Sequence, residues 1–191
     1  MVQLAVLVAI TLIMAFTPLG FLKIGALSIS MLSIPVCIGA MLMGPGAGAI
    51  LGLIFGLTSF YQCFGMDPFG ATLLNINPLF TFLVCIPTRT LMGYLAGVIF
   101  KALYKVDKTK TVSFFVTGLL GAFMNTLFFM GMLMLCFGNS SYLQEMNQSM
   151  GNLSLFAFVL ALCGVNGLLE MPLSCLAGGA VSKILYRVFK K

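Results

Sequence analysis

The stretch PLFTFLVCIPTRTLMGYLAGVIFKALY, residues 78–104, decides the fold. It is longer than the roughly 20 apolar residues that an α-helix needs to cross a bilayer. One charge, Arg89, lies in its middle, about 16 Å along a helix from residue 78. That depth is close to the midplane of a hydrocarbon layer about 30 Å thick, where an arginine costs at least about 2.5–3.5 kcal/mol unless a partner or water compensates it. Arg89 is therefore the first candidate for a functional residue.

Two interpretations of Arg89 follow from its position. In the first, its guanidinium pairs with Glu170, the only carboxylate that we predict inside the membrane. In the second, Arg89 lies in a water-accessible pocket and binds an anionic or strongly polar ligand. Because a guanidinium cannot lose its charge, it needs one of these partners, and the sequence leaves both open.

The composition predicts an all-α integral membrane protein, with residues 1–191 as a single membrane domain. The chain is 61% hydrophobic and 7% charged, whereas a soluble domain carries about 25% charged residues. The first apolar run lacks a charged n-region and a clear cleavage site, so we expect no cleavable signal peptide. Histidine is absent, and the six cysteines are scattered without a CxxC motif. We therefore expect packing cysteines, no metal site and no cofactor.

Six helices are predicted, at approximately residues 2–16, 31–43, 47–61, 78–104, 112–137 and 153–186. Between the first two, residues 21–30 are too polar and too broken for a span, which predicts an extended or re-entrant loop. The second helix is short and contains Pro35, a pattern typical of a broken helix near a binding site. Around the third helix, glycine recurs every four residues, at positions 44, 48, 52 and 56. We expect Gly48 and Gly52 to admit a neighbouring helix, and Gly56 to lie nearer a ligand.

The basic residues predict the orientation of the chain in the membrane. Eight of the ten lie after the fourth helix or at the C-terminus, namely Lys101, Lys105, Lys108, Lys110, Lys183, Arg187, Lys190 and Lys191. By the positive-inside rule that side is cytoplasmic, and six spans then place both termini inside. The long polar loops 1, 3 and 5 face outside, where lid-like loops suggest a receptor. Membrane topology accounts for the net charge of +6, so we expect no nucleic-acid partner.

Interior polar residues define the predicted ligand site. Arg89, Asn125, Asn166 and Glu170 should face the bundle interior, because each is costly in lipid. Arginine offers a planar fork for a carboxylate or phosphate, and asparagine suits amides and hydroxyls. Around them we place ligand-contacting residues from the third helix and the third loop, namely Gly56, Ser59, Tyr61 and Asn77. Together they predict a pocket for a small metabolite that is polar or anionic.

No catalytic motif competes with this interpretation. GxSxG, HExxH and Walker A motifs are absent, and Glu170 has no second carboxylate beside it, so we predict no catalytic residues. Alternatives left open are an intramembrane enzyme, an assembly protein held by an Arg89–Glu170 pair, and a stand-alone secondary transporter. The last should show inverted repeats, and no clear repeat is visible.

Several stretches resemble the substrate-binding S-components of energy-coupling factor (ECF) transporters, the vitamin importers of prokaryotes. They cover nearly the whole chain in order: LAVLVAI at 4–10, TPLGFLKIGALSISMLSIPVCIGAMLMGPGAGAILGLIFGLTSF at 17–60, PTRTLMGYLAGVIFKAL at 87–103, GAFMNT at 121–126 and NGLLE at 166–170. The resemblance implies a six-helix bundle in the prokaryotic cell membrane with cytoplasmic termini. It also implies high-affinity vitamin binding near the outer face.

The resemblance further implies partners and a ligand class. An S-component docks on a coupling transmembrane subunit and two ATPase subunits, through an AxxxA pair that is Ala5 and Ala9 here. Stretch 17–60 looks most like the pantothenate-type branch, and the acidic segment typical of riboflavin-type members is missing. Pantothenate offers a carboxylate for Arg89, and an amide and hydroxyls for Asn125 and Asn166. Folate also carries a carboxylate, so folate, riboflavin or a related vitamin remains the alternative ligand.

Overall fold

The computed structural model describes residues 2–17, 20–24 and 27–189, without the side chains of residues 21–24, 27–29, 155–156, 163–166, 168–169 and 189. Most of this part of the chain is helical. Its helices are α1 (Val2–Phe16), α2 (Ser33–Met43), α3 (Pro45–Gln62), α4 (Pro68–Ile76), α5 (Pro78–Val106), α6 (Val112–Phe137), α7 (Ser141–Ser149), α8 (Leu155–Leu173) and α9 (Gly179–Phe189). A π-helical turn, Ser174–Gly178, joins α8 to α9 without a break.

The predicted all-α architecture describes this part of the chain except at one short β-hairpin. Strands β1 (Phe21–Ile24) and β2 (Leu27–Ser30) pair antiparallel, with Phe21 opposite Ser30. The extended form expected for residues 21–30 is thus a β-hairpin, in which each strand satisfies backbone groups of the other. A second helical segment cannot form there, so α2 begins only at Ser33.

Two of the described helices, α5 and α6, are long and apolar enough to cross a membrane. Helices α1 and α2 are apolar but shorter, with 15 and 11 residues. Together with the composition, α5 and α6 are what a membrane protein requires. The number of spans and their orientation stay predictions.

The two loops predicted as polar lids contain the short helices α4 and α7. Helix α4 begins at an N-cap, Asp67, whose Oδ2 accepts a hydrogen bond from the Gly70 N–H at 3.0 Å, and Pro68 follows as the first helical residue. Ser140 caps α7 in the same way. Phe69 and Leu143 are buried with residues of α5, α6 and α8 in one cluster. Both loops are therefore packed onto one end of the bundle.

Glycines bring α3 and α5 into backbone contact, and this pairing is the most extensive between any two described elements. A Cβ at Gly48 would collide with the Gly93 carbonyl, and a Cβ at Gly52 with the Arg89 carbonyl. The packing role predicted for Gly48 and Gly52 is confirmed. A Cβ at Gly56 would lie 2.8 Å from the Ile86 Cα, so this glycine belongs to the same contact. The expectation that Gly56 also lies near a ligand stays a prediction.

One face of α1 packs on the bundle and the other is open. Leu7, Thr11 and Ala15 are buried, whereas Ala5 and Ala9 are exposed. Inside the bundle, Gln62 of α3 donates to the Ala15 carbonyl and ties the two helices together. The AxxxA pair is thus accessible on the molecular surface.

The glycine contact makes a stability prediction. Gly52→Ala should lower the free energy of unfolding by about 1–3 kcal/mol, because the new methyl group overpacks the α3–α5 contact. Thermal unfolding of the purified protein in detergent measures this. Gly131→Ala is the matched control, since no atom lies within 4 Å of a Cβ there. An unchanged melting temperature for Gly52→Ala would contradict the contact.

Candidate functional site

Arg89 lies in the interior of the bundle and is only 6% exposed. Its Nη1 donates to two carbonyls of its own helix, Cys85 at 3.1 Å and Val84 at 3.3 Å. Pro87, within the same turn of α5, has no N–H to donate, so the backbone hydrogen-bond ladder is interrupted here. The Arg89 side chain folds back along α5 and donates hydrogen bonds to carbonyl oxygens of this turn.

Two aromatic rings enclose the Arg89 guanidinium. The centroids of the Phe55 ring on α3 and the Phe129 ring on α6 each lie 4.8 Å from its Cζ. A desolvated cation–π contact of this kind contributes about 2 kcal/mol or more. A hydrogen-bonding partner approaches a guanidinium at its N–H edge. At that edge, Nε is buried and has no hydrogen-bond partner among the described residues.

Glu170 is buried on α8 and is held by a different partner. Its Oε1 accepts a hydrogen bond from Asn125 Nδ2 on α6 at 3.1 Å. Ser33 of α2 interacts with the same carboxylate. The Ser33 Oγ also lies 3.3 Å from the Oγ of Ser174 in the π-helical turn. Four segments of the chain therefore meet around Glu170.

Arg89 and Glu170 form no ion pair in the part of the chain that the structure describes. They are close enough to influence each other electrostatically, but their short contacts go elsewhere. Asn125 and Phe129 are one helical turn apart and share a face of α6, so the same face contacts both Glu170 and Arg89. Asn125 Oδ1 is also buried without a partner among the described side chains. Within this part of the chain, the region thus offers unpaired donor and acceptor atoms around a cation that no described carboxylate contacts.

The other predicted site residues are placed differently. Asn77 caps α5, and its Oδ1 accepts from the N–H groups of Leu79 at 3.1 Å and Phe80 at 3.3 Å. Tyr61 is 59% exposed and packs edge-to-face on Phe16, 5.9 Å between ring centroids. Neither side chain joins Arg89.

Ser59, Gly56 and Asn166 complete the comparison with the predicted site. Ser59 is half-buried and interacts with Cys85, one turn before Arg89. A Cβ built at Gly56 would lie 2.9 Å from the Cys85 carbonyl oxygen, so α3 packs against the same turn of α5. The Asn166 side chain lies outside the described residues. The structure therefore groups Arg89, Asn125 and Glu170, with Ser59 and Gly56 behind them.

Phe55, Phe129, Ser33 and Ser174 were not predicted from the sequence. Phe129 follows Asn125 by four residues, and Phe55 lies between Gly52 and Gly56, so helical spacing could have placed both near Arg89. With 18 phenylalanines in the chain, this spacing alone does not distinguish them from packing residues. The two serines come together only through the tertiary fold.

Residues 1–177 match the sequence model of the family described as "ECF transporter, substrate-specific component". The matched range includes α1 to α8, and with them Arg89, Asn125 and Glu170. A search of curated protein sequences finds no match to the chain.

The Asn125–Glu170 hydrogen bond makes a second stability prediction. Asn125→Leu keeps the branched shape but leaves a buried carboxylate oxygen without its Asn125 donor, which should cost about 1–3 kcal/mol of unfolding free energy. Thermal unfolding in detergent is the measurement.

Two variants serve as controls for this prediction. Glu170→Gln should be milder, because the amide oxygen still accepts from Asn125. The double variant Asn125→Leu with Glu170→Leu should recover much of the loss, since neither partner is then left unpaired. A wild-type melting temperature for Asn125→Leu alone would show that the bond is not structural.

Proposed function

Because this chain belongs to the family of ECF transporter substrate-specific components, we propose that it binds pantothenate through Arg89. Family membership makes the protein a membrane-embedded transport subunit, not an enzyme. It takes a small-molecule substrate and works with ECF transmembrane and ATPase subunits. We further propose that the protein lies in the prokaryotic cell membrane with six spans and both termini in the cytoplasm. The vitamin then binds near the outer face.

One observation carries the ligand proposal: Arg89 is buried, and its charge is stabilised but not neutralised. Backbone carbonyls and aromatic rings lower the cost of burying the guanidinium, yet no described carboxylate contacts it. The unpartnered Nε lies on the edge of the fork, which is the part of an arginine that binds carboxylates. A ligand carboxylate would neutralise the charge of Arg89 and accept a hydrogen bond from its Nε.

Asn125 supports a ligand with further polar groups. Its Nδ2 donates to Glu170, whereas its buried Oδ1 has no hydrogen-bond partner among the described residues and could accept one from a ligand. The hydroxyls and amide N–H of pantothenate are donors of this kind. Folate shares the carboxylate but presents a flat aromatic ring system, which would compete with the Phe55 and Phe129 rings already in contact with the Arg89 guanidinium. This competition favours pantothenate.

Arg89→Ala should raise the dissociation constant for pantothenate at least about 30-fold, because removing one partner of a buried charge pair costs about 2–5 kcal/mol. Isothermal titration on the purified protein in detergent measures the constant, with folate and riboflavin titrated in parallel. Arg89→Lys should recover only part of the affinity, since an ammonium has no planar fork. Exposed Arg187→Ala is the matched control and should bind normally. Unchanged affinity in the folded Arg89→Ala protein would defeat the assignment.

The exposed AxxxA pair on α1 supports Ala5 and Ala9 as the contact to the ECF transmembrane subunit. Small residues allow a second helix to approach closely within a membrane. Ala5→Trp or Ala9→Trp should therefore bring uptake near background in cells that express the whole transporter, while titration shows unchanged ligand binding. Leu135→Trp on α6, at a position 84% exposed, is the control for a bulky residue elsewhere. Equal loss of ligand binding in the alanine variants would contradict an interface role.

A further inference from the structure

The connector between α5 and α6 and the adjoining end of α9 form a cationic surface, which we call the basic end. Its exposed or half-exposed members are Lys101, Lys105, Lys108, Lys110, Lys183 and Arg187. Aromatic packing shows that the two segments adjoin. The Tyr186 ring on α9 lies 5.3 Å from the Tyr104 ring on α5 and 5.4 Å from the Phe114 ring on α6, between centroids. The cations therefore gather at one end of the two longest helices.

The one acid at the basic end does not neutralise it. Asp107 Oδ1 accepts from the Thr109 N–H at 2.9 Å, and its Oδ2 accepts from the N–H groups of Thr111 at 3.0 Å and Ser113 at 2.8 Å. These bonds, that of Ser113 above all, hold the pKa of Asp107 well below its usual range. The carboxylate thus organises the connector and the start of α6. Among the described residues, none of the basic side chains forms an ion pair with it.

No other acidic side chain of the described residues lies at the basic end. The chain has four acidic residues, and the remaining three are Asp67, Glu145 and Glu170. Asp67 caps α4 and Glu145 lies on α7, both of which pack at the other end of the bundle, while Glu170 is buried against Asn125. An anion from outside the chain is needed to balance the surface.

The connector is shaped for a lipid interface. Lys110 adopts a left-handed conformation, φ 49°, and its Nζ lies 5.6 Å from the centroid of the Tyr104 ring. The connector is flanked by Val106, 81% exposed, and Val112, 55% exposed. Tyrosine and lysine beside exposed apolar side chains match the boundary between headgroups and acyl chains. A purely aqueous or a mainly charged protein surface would leave the two valines uncovered.

We propose that the basic end binds the phosphate groups of anionic lipid headgroups, with Lys108 and Lys110 as the principal contacts and Val106 and Val112 in the acyl boundary. Clustered lysines next to a membrane-spanning helix attract anionic lipids, each strengthening binding about fivefold. The surface is remote from the ligand site, because Lys105 lies about 24 Å along α5 from Arg89. Lipid and vitamin binding can therefore fail independently.

Lipid binding is tested on the purified full-length protein in neutral detergent. Titration with phosphatidylglycerol should raise the melting temperature and give lipid adducts in native mass spectrometry, whereas phosphatidylcholine should do neither. Lys108→Gln with Lys110→Gln should weaken phosphatidylglycerol binding about 25-fold, from about fivefold per lysine. Lys108→Arg with Lys110→Arg, which keeps both charges, is the matched control and should bind nearly as the wild type does. Pantothenate titration of the same variants checks that the ligand site is intact.

Three outcomes would overturn the proposal. The first is equal phosphatidylglycerol binding by the glutamine and arginine double variants. The second is an equal effect of glycerol phosphate at the same concentration, which would identify a soluble anion as the ligand. The third is no lipid effect, together with loss of assembly between the glutamine variant and the purified ECF transmembrane and ATPase subunits. That result would assign the basic end to a protein partner.

Discussion

The close contact between α3 and α5 is the constraint on which the rest of the structure depends. Within a membrane, lipid tails are as apolar as the side chains, so burial drives helix association weakly and close packing has to replace it. Glycine at positions 48, 52 and 93 removes the side chains that would separate the two backbones. Because the Arg89 carbonyl is itself part of this contact, the position of its Cα is fixed. The guanidinium is thereby directed between Phe55 and Phe129 instead of toward lipid.

The same arrangement keeps two buried opposite charges apart. A direct Arg89–Glu170 pair would satisfy both groups and leave nothing for a ligand. Instead, Glu170 is bound by Asn125, and Arg89 is stabilised by carbonyls and π-faces, which have no net charge. The cost of burying Arg89 is reduced while its attraction for an anion is kept. That combination suits reversible ligand capture better than a closed ion pair does, since no internal bond has to break before the ligand binds.

Sequence patterns that report local geometry predicted the structure well. The four-residue glycine period predicted the α3 contact, and the polar, broken segment 21–30 predicted extended chain. Because polar groups are costly in lipid, the sequence alone predicted that Arg89, Asn125 and Glu170 face the bundle interior together. Helices α4 and α7 lie in segments that the sequence analysis predicts as loops because they are polar. Asp67 followed by proline is nevertheless a strong signal for a helix start. Asn77 caps α5 and Tyr61 packs on Phe16, roles that residue type alone does not separate from ligand binding, so their predicted ligand contacts stay predictions.

The charge distribution follows from how the acids are used. Acceptor oxygens of Asp67, Asp107 and Glu170 are taken by N–H donors of the chain itself, at two helix starts and one interior contact. These three acids therefore shape the backbone and the core, and they do not cancel the cations. Among the described side chains, positive charge thus remains at two separate places, one buried at Arg89 and one exposed around the connector after α5. Each place can attract a different anion, because the helix between them holds the two about 24 Å apart.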